Sequence, residues 1–479
     1  MIKKYVLMAA AAGLLLAPAG AFAKMGSGQM SAKSKDIDVE FFGSQKMYPH
    51  FMDNVNFNDD AGDGVLGEEN GAMGNNAVRS ETRVGWKGTG EDWSFLVTLE
   101  ADVTMNKTNG DRGEQATGPS YKGASGSSFG LEKLDFRYNF GGVELSTGWN
   151  GRFLDINSGG LLYGDDHPFF GITGKSDSFS WEALYLMIQD DITDDRDGIG
   201  ALNAQEMDWR VYSLRGAFDL GGFTLAPLYA FSDNNDQEAQ THYLGVEGYG
   251  KIGIFTPRFE VIYANGEMDE DSSKGIAEDY DIEAWAVYGS VEFDLGKALN
   301  PYVGFSWLSG DDDGNDDDIE AFNGITNISR YTSTFGMENA MIYRTVPTLG
   351  SVLYSNNFNM LGSQTGYGGI ANTSKGDAPG LLMLGMGSKG QLNEKWSYKA
   401  QLMYFELDDT GALEDSYGHS IDDEMGYEFD LQLTYVFNNH FSIGNVISIF
   451  DPGDAIKDLR GDDYDDTAFL DVIEMTWKF

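Results

Sequence analysis

The sequence has 479 residues, of which 76 are Asp or Glu and 32 are Lys or Arg, giving a formal net charge of −44. A field of this sign repels nucleic acid and attracts cations, so no nucleic-acid partner is expected. The chain contains no cysteine, which excludes a fold held together by disulfides.

The residue composition favours a chain rich in strands and turns. Aromatic residues make up 13% of the sequence, glycine occurs 62 times and proline only 10 times. Aromatic side chains suit strands, and glycine suits tight turns. After the first residues, no apolar stretch approaches the ~20 residues that a membrane-spanning helix needs. The remaining classes are a large soluble protein of several domains and one large β-barrel.

Residues 1–23 are predicted to form a secretory signal peptide. Two lysines provide its basic start, residues 6–17 its apolar core, and Ala-Phe-Ala at 21–23 its cleavage site. The chain is therefore expected to be exported. Residues 24–35 would form an amino-terminal periplasmic segment ahead of the folded region at 36–479.

Apolar and polar residues alternate along the folded region in segments of about ten residues, a pattern typical of outer-membrane barrel strands. In 77–87, Val78, Val84 and Trp86 share one face, and charged side chains share the other. The segment 93–105 repeats the pattern, with its apolar residues predicted to face lipid.

Eight tight connections separate these segments. They lie at 89–92, 141–142, 175–178, 221–222, 250–255, 295–299, 392–395 and 438–439. The turn at 175–178 is inferred because short turns on one side of a membrane require an even number of strands between them. Eight short turns and nine longer loops give about eighteen strands, with sixteen or twenty as alternatives. The predicted fold is all-β, a transmembrane antiparallel up-and-down β-barrel formed by 36–479.

The stretch 310–380 shows no clean alternation. A loop of about seventy residues is unusual in a compact protein unless it is functional or wrongly assigned. It is expected to fold inward, to cover the barrel mouth or to contain one more hairpin.

The last strand, 469–479, carries an apolar row predicted to serve as an assembly signal. The row is Ile473, Met475, Trp477 and Phe479. In a soluble protein such a row on a free strand edge would promote aggregation, whereas in a closed barrel it faces lipid. With an even strand number, this strand should pair with the first one, at 36–48.

The alternation of the strands predicts that a set of charged side chains points into the barrel. The predicted pore-lining set is Arg79, Arg83, Lys87, Glu100, Asp102, Lys133, Arg137, Arg152 and Arg258, with Asp155, Asp165 and Asp166 from the third outer loop. Ion pairs in this set would stabilise the wall of a wide barrel. In a second interpretation the third loop, 153–167, folds into the lumen opposite the arginines. A transverse field there would select solutes by size and charge.

Two acidic loops, 311–318 and 59–64, are candidate calcium sites, because calcium prefers carboxylate oxygens from flexible loops. The candidate ligands in the first loop are Asp311, Asp313, Asp316 and Asp318. Neither loop matches an EF-hand: counted from Asp311, the twelfth position is Phe322 and not Glu. A solvated acidic loop is the simpler interpretation. Such a loop could also bind lipopolysaccharide through bridging divalent cations, and no other cofactor is expected.

The sequence offers little for catalysis. Its five histidines show no tight metal-ligand spacing, and no G-x-S-x-G, P-loop or dinucleotide-binding motif occurs. His440 and Ser442 share a strand face and could serve a membrane hydrolase. At a short turn, however, they would lie at the wrong end of the barrel for an outward-facing active site. The chain is therefore not predicted to be an enzyme.

The signal peptide, the alternating strands and the final Trp477-Lys478-Phe479 resemble those of Gram-negative outer-membrane porins. The resemblance implies a location in the cell outer membrane of a Gram-negative bacterium and a last strand recognised by the barrel-assembly machinery. A finer similarity, in the order of 309–313, 322–323 and 359–362, is to the carboxy-terminal half of alginate-export-like barrels. Exporters of an anionic polysaccharide would be expected to line the pore with Arg and Lys, whereas this chain has an excess of acids.

The predicted function is passive diffusion of small hydrophilic solutes or ions through a water-filled barrel, with acidic loops giving a mild preference for cations. The alternatives are a substrate-specific export or uptake barrel of the alginate-export-like type, and a plugged structural or adhesive surface barrel. A sheath around an electron-carrier cytochrome is also conceivable, although the chain has no haem-attachment cysteine. Expected partners are outer-membrane lipid and lipopolysaccharide, the barrel-assembly machinery and the solutes. The barrel could also form a homotrimer.

Overall fold

The structure is a computed structural model that describes residues 30–34, 37–54, 57, 76–105, 130–189, 208–235, 237–271, 276, 278–325, 332–340 and 379–479. The predicted signal peptide, 1–23, and the acidic loop 59–64 lie outside the described residues. Of the predicted segment 24–35, residues 30–34 are described and form a strand.

Twenty strands and two short helices lie within the described residues. The strands are β1 (Met30–Ser34), β2 (Ile37–Asp53), β3 (Asn76–Thr89), β4 (Trp93–Met105), β5 (Gly130–Asn139), β6 (Val143–Phe153), β7 (Gly164–Lys175), β8 (Phe179–Gln189), β9 (Trp209–Asp219), β10 (Phe223–Asn234), β11 (Ala239–Gly250), β12 (Phe255–Met268), β13 (Tyr280–Phe293), β14 (Asn300–Leu308), β15 (Asp318–Ile319), β16 (Leu381–Gln391), β17 (Trp396–Glu406), β18 (Glu424–Asn438), β19 (Phe441–Pro452) and β20 (Ala468–Lys478). The helices are α1 (Gly411–Tyr417) and α2 (Asp454–Arg460). No helix in this part of the chain is long and apolar enough to cross a membrane.

Eighteen of the strands form one closed antiparallel barrel. From β2 onward each barrel strand pairs with the next in sequence, β14 pairs with β16, and β20 returns to pair with β2. β1 forms a hairpin with β2, and the two-residue β15 adds to β13 in parallel. The predicted all-β up-and-down barrel of about eighteen strands is confirmed.

The eight predicted tight turns all connect neighbouring barrel strands. Side-chain caps fix several of them: Asn139 Oδ1 accepts hydrogen bonds from the amides of Gly141 (2.7 Å) and Gly142 (3.2 Å). Asn438 caps the turn before β19 in the same way. Such caps stabilise a turn through local contacts alone. The barrel therefore has a short-turn end and a long-loop end.

Side chains alternate between the two faces of the wall, as successive residues of a strand do. In β9, Tyr212 and Leu214 point outward and are 48% and 54% exposed, whereas Val211 and Ser213 point inward and are buried. Other large apolar residues exposed on the outer surface are Phe136, Leu244, Trp285, Met386, Phe429, Ile473, Trp477 and Phe479. A continuous apolar outer surface of this kind suits lipid and not water.

The first and last barrel strands, β2 and β20, close the barrel. Met47 lies opposite Met475, and Gly43 and Phe479 exchange two backbone hydrogen bonds of 3.0 Å. The Phe479 ring lies over Gly43 and leaves no room there for a Cβ atom. The predicted pairing of the last strand with the first is confirmed, although β2 extends to Asp53 and is longer than predicted.

Only part of the stretch 310–380 is described. After β14 the chain forms β15 and then turns into the barrel along 320–325 and 332–340. The described portion thus folds inward and adds no hairpin to the wall. Residues 341–378 lie outside the described residues.

We expect deletion of Phe479 to impair barrel closure. The deletion removes two hydrogen bonds to Gly43, each worth about 0.5–1.5 kcal/mol, together with the ring that covers this glycine. The folded fraction after refolding into lipid vesicles should fall, while barrels that do fold should be otherwise unchanged. Phe140→Ala is the control, because Phe140 is similarly exposed (61% against 55%) but lies at a short turn. Equal losses in the two variants would contradict a special role for this seam.

Candidate functional site

Two segments fold into the barrel and divide its interior. The lumen loop, residues 154–163, connects β6 to β7, and the lumen segment, residues 332–340, belongs to the connection between β15 and β16. Both are largely buried, including Leu162, Phe335 and Met337. The inward fold of the third loop, one of the two interpretations of the sequence, is what the structure contains.

Asp155 closes the lumen loop on itself. Its carboxylate accepts hydrogen bonds from the amides of Leu162 (2.6 Å) and Tyr163 (3.2 Å). The Leu154 amide also donates to the Tyr163 carbonyl at 3.0 Å. Burial raises the pKa of the Asp155 carboxyl above its ordinary value, because the charged form loses its hydration.

The tip of the lumen loop is attached to the wall at β11 and β12, well away from the strands that carry the loop. The Ser158 hydroxyl lies 2.8 Å from Glu247 Oε1 and 3.0 Å from Glu260 Oε2. The Gly159 amide donates to Glu260 Oε2 at 2.8 Å, and Arg258 Nη1 donates to the Asn157 carbonyl at 2.9 Å. The loop therefore spans part of the lumen and is held at both ends.

The lumen segment runs from the lumen loop towards β2. Ser333 Oγ donates to the Ile156 carbonyl of the loop at 3.0 Å. Lys399 on β17 then donates to the carbonyls of Thr334 and Gly336, both at 2.7 Å. Farther along, Asn339 donates to Glu474 on β20, and Glu338 lies 3.8 Å from Lys46 on β2. The two contacts of Lys399 satisfy backbone carbonyls of a segment that has no strand partner, and the others hold its side chains.

Apolar packing fixes both inward segments against one side of the wall. Phe335 packs edge-on against Tyr302, with 5.4 Å between ring centroids, and covers Gly385. The Ile325 amide donates to the Leu162 carbonyl at 2.8 Å, joining residues 320–325 to the lumen loop. These side chains belong to one continuous buried cluster that includes inward residues of many wall strands. This side of the lumen is therefore filled.

Charged side chains line the other side, along β2 to β6. Arg83 lies among three glutamates, with Nε 2.7 Å from Glu100, Nη2 2.9 Å from Glu132 and Nε 3.4 Å from Glu81. Lys46 lies 3.0 Å from the same Glu81. The result is a network in which acids outnumber bases.

A second network lies nearer the short-turn end. Arg137 binds Asp135 through two hydrogen bonds, of 3.0 and 2.8 Å, and lies 3.4 Å from Glu144. The Arg152 guanidinium lies over the Phe169 ring at 3.8 Å and is 3.9 Å from Asp135. The arginines of this wall are thus held by carboxylates, as the ion-pair interpretation of the sequence expected.

Water reaches this charged wall but not the packed side. The side chains of Arg83 and Arg137 are 29% and 39% exposed inside the barrel, whereas Glu247 and Glu260 are fully buried under the lumen loop. The open part of the lumen therefore follows β2 to β6.

The remaining predicted pore-lining residues differ in placement. Lys87 and Lys133 lie on β3 and β5 within the charged wall, and Arg258 holds the lumen loop. Arg79 and Asp102 belong to β3 and β4, and their side chains are outside the described part.

Asp165 and Asp166 were predicted in a loop facing the arginines, and this placement is wrong. The loop is shorter than predicted because β7 begins at Gly164 and carries both aspartates into the wall. Asp165 lies opposite Arg152 in the pairing of β6 with β7. The two acids therefore lie beside the arginine cluster and not across the lumen from it.

Several lumen contacts were not predicted from the sequence. They involve Lys46, Arg215, Glu247, Glu260, Glu338 and Lys399. Strand alternation alone could have predicted that the strand residues of this set point inward. Their partners could not be found, because they belong to segments far away in the sequence.

The acidic residues of 311–318 mainly cap their own loop. Asp311 accepts hydrogen bonds from the amides of Asp313 (3.3 Å) and Glu320 (3.1 Å), and the Asp318 amide donates to Asp316 at 3.0 Å. Among the described residues no group of three or more His, Cys, Asp or Glu side chains could hold a metal ion.

The His440 ring lies at a short turn, with Nδ1 2.9 Å from the Lys478 carbonyl. This contact joins the turn to the end of the last strand. It provides no partner for Ser442, the second residue of the hydrolase alternative.

No protein-family model and no curated protein matches the chain. Solved structures do resemble it. OccK5 (OpdH) of Pseudomonas aeruginosa gives a TM-score of 0.52 at 10% identity, covering 92% of this chain and 98% of that one. OpdK of the same organism, solved with vanillate, gives the same TM-score, identity and coverages. OccAB3 of Acinetobacter baumannii gives 0.52 at 10% identity, covering 92% and 99%.

Identity this low shows the fold alone. The chain has the barrel fold of the Pseudomonas OccK and Opd outer-membrane porins. The predicted porin-type barrel is confirmed at this level, whereas the finer similarity to alginate-export-like barrels finds no support in the comparisons.

We expect Lys399→Met to loosen the lumen segment. The substitution removes the donor to two buried carbonyls, and each such hydrogen bond contributes about 0.5–1.5 kcal/mol. Hydrogen–deuterium exchange of residues 332–340 should accelerate. Lys389→Met is the matched control, because Lys389 also points inward but pairs with Glu292 on the wall, at 2.7 Å. If both variants accelerate exchange equally, Lys399 is not the anchor.

Proposed function

We propose that the chain is a channel of the Gram-negative outer membrane through which small hydrophilic solutes or ions diffuse passively. The observation that carries this proposal is the partly exposed charged wall along β2 to β6, beside a part of the lumen that two inward segments fill. A hydrated charged wall lowers the cost of moving a polar solute through a narrow space. No step in this mechanism requires chemistry at a side chain.

Charge supports a mild preference for cations. The Arg83 network contains three glutamates for two bases, and the long-loop end carries acidic segments such as 311–318 and 462–466. These charges raise the local concentration of cations within about 8 Å at physiological ionic strength. The preference is mild because the wall itself also carries arginines.

Two other functions are alternatives. The OpdK structure that shares this fold was solved with vanillate, so a channel specific for one class of solute is the first. The continuous apolar cluster that holds both inward segments favours a sealed structural or adhesive barrel. Conductance separates the sealed barrel from either channel, since a sealed lumen passes no current.

The remaining expected partners stay predictions. They are lipopolysaccharide at the acidic loops, the barrel-assembly machinery at the last strand and two further copies of the chain in a trimer. A calcium ion bound at 311–318 also stays a prediction.

Planar-bilayer recording in a salt gradient tests the preferred function. The purified barrel should conduct, with a reversal potential of the sign that marks cation preference. Lys133→Glu, which replaces a positive by a negative charge on the inner wall, should shift the reversal potential further in that direction. Lys251→Glu makes the same change at a short turn where Lys251 pairs with Asp294, and should shift it less.

The outcomes separate the parts of the proposal. Clear anion preference would refute the charge argument and leave the channel intact. Absence of current from correctly folded barrels would favour the sealed barrel.

A further inference from the structure

The lumen loop meets the wall at a cluster of three buried carboxyls. Asp155 of the loop, Glu247 of β11 and Glu260 of β12 are each 0% exposed. The Gly159 amide, next to Ser158, donates to Glu260 Oε2 at 2.8 Å. Glu247 and Glu260 both contact the Ser158 hydroxyl, at 2.8 and 3.0 Å. The attachment of the loop thus depends on acidic groups packed against each other.

The contact of Ser158 with two glutamates requires a proton on one of their carboxyl groups. An ionised carboxyl only accepts hydrogen bonds. The Ser158 hydroxyl has one proton and can donate to only one of its two glutamates. Glu247 already accepts a hydrogen bond from Arg215, at 2.6 Å. Glu260 is therefore the group that carries the proton.

The charges around the cluster balance only when that proton is present. Arg215 of β9 donates to Glu247 Oε2 at 2.6 Å, and Arg258 of β12 donates to the loop backbone. The other titratable side chains beside the cluster are the phenols of Tyr249 and Tyr288. Three carboxylates and two guanidinium groups leave one negative charge uncompensated, and an unpaired buried charge costs several kcal/mol. No metal-binding group of side chains in the described part of the chain replaces the proton.

We propose that the lumen loop is a proton-controlled latch, docked on β11 and β12 while Glu260 carries a proton and released when that proton leaves at higher pH. Release removes the loop from the lumen and widens the path beside the charged wall. The effect on transport rests on the proposed channel function, whereas the movement of the loop does not.

The direction of the pH effect follows from linkage. Docking buries the Glu260 carboxyl in its protonated form, whereas water stabilises the ionised form once the loop is released, so the docked loop binds more protons than the released loop. Docking is at full strength below the ordinary carboxyl pKa of about 4, and it weakens as pH rises above that value. One linked proton changes the ratio of docked to released loop by at most about tenfold per pH unit.

Loop movement can be measured without conductance. The chain has no cysteine, so Asn157→Cys provides a single thiol on the loop. The substitution keeps the contact with Arg258, because Arg258 bonds to the backbone carbonyl of Asn157 and not to its side chain. Any thiol reacts faster at higher pH because more of it is ionised. Ser176→Cys, at an exposed short turn, measures this effect, and the labelling rate of the loop thiol is divided by its rate. The normalised rate should rise between about pH 5 and pH 9, by up to about tenfold per unit. The single-channel conductance of the cysteine-free barrel should rise over the same interval.

Glu260→Gln tests the assignment of the proton. The amide can donate to Ser158 and accept from Gly159 but does not titrate, so labelling and conductance should stay low at every pH. Glu292→Gln is the matched control: Glu292 also points inward but pairs with Lys389, so the response should be that of the unaltered barrel.

Each outcome bears on a different claim. A normalised labelling rate that is flat with pH overturns the latch. A rise that persists in Glu260→Gln also overturns it, because the proton then acts elsewhere. A rise that Glu260→Gln abolishes, in a barrel that passes no current, supports the latch and refutes the proposed channel function instead.

Discussion

The constraint on which the rest of this structure depends is that backbone groups at the depth of a membrane must find partners within the protein. The wall meets it by closure: β20 returns to β2, so no strand edge is left open there. The inward segments meet the same constraint differently. They have no strand partner, and charged side chains of the wall take over that role, with Arg258 and Lys399 donating to loop carbonyls.

This arrangement explains why the lumen has two unlike sides. Where the inward segments pack, the wall carries apolar residues and a few acids that are fully buried, and each buried acid needs a hydrogen-bond donor or a proton. Along β2 to β6 neither of the two described inward segments covers Arg83 or Arg137, which are held by several carboxylates and stay partly exposed. The proposed selectivity and the proposed gating therefore belong to different sides of the same barrel.

The wall could be predicted from the sequence because its determinants are local. Turn residues such as Asn139 and Asn438 act within three residues of themselves, and alternation with period two sets the face of every strand residue. The site was harder to predict from the sequence. Ser158 contacts glutamates 89 and 102 residues later in the chain, and nothing near Ser158 indicates either partner. The error at Asp165 and Asp166 has a related cause: the start of β7 is fixed by pairing with β6 and not by its own composition.

The seam between β2 and β20 also has a consequence for the time course of folding. Its two strands are separated by most of the chain, and bringing together ends roughly 430 residues apart costs about 5 kcal/mol of chain entropy if nothing between them is yet ordered. Hairpins joined by the eight short turns can form first and shorten that distance step by step. Closure is then the last and slowest event, and for that interval the edges of β2 and β20 are both exposed.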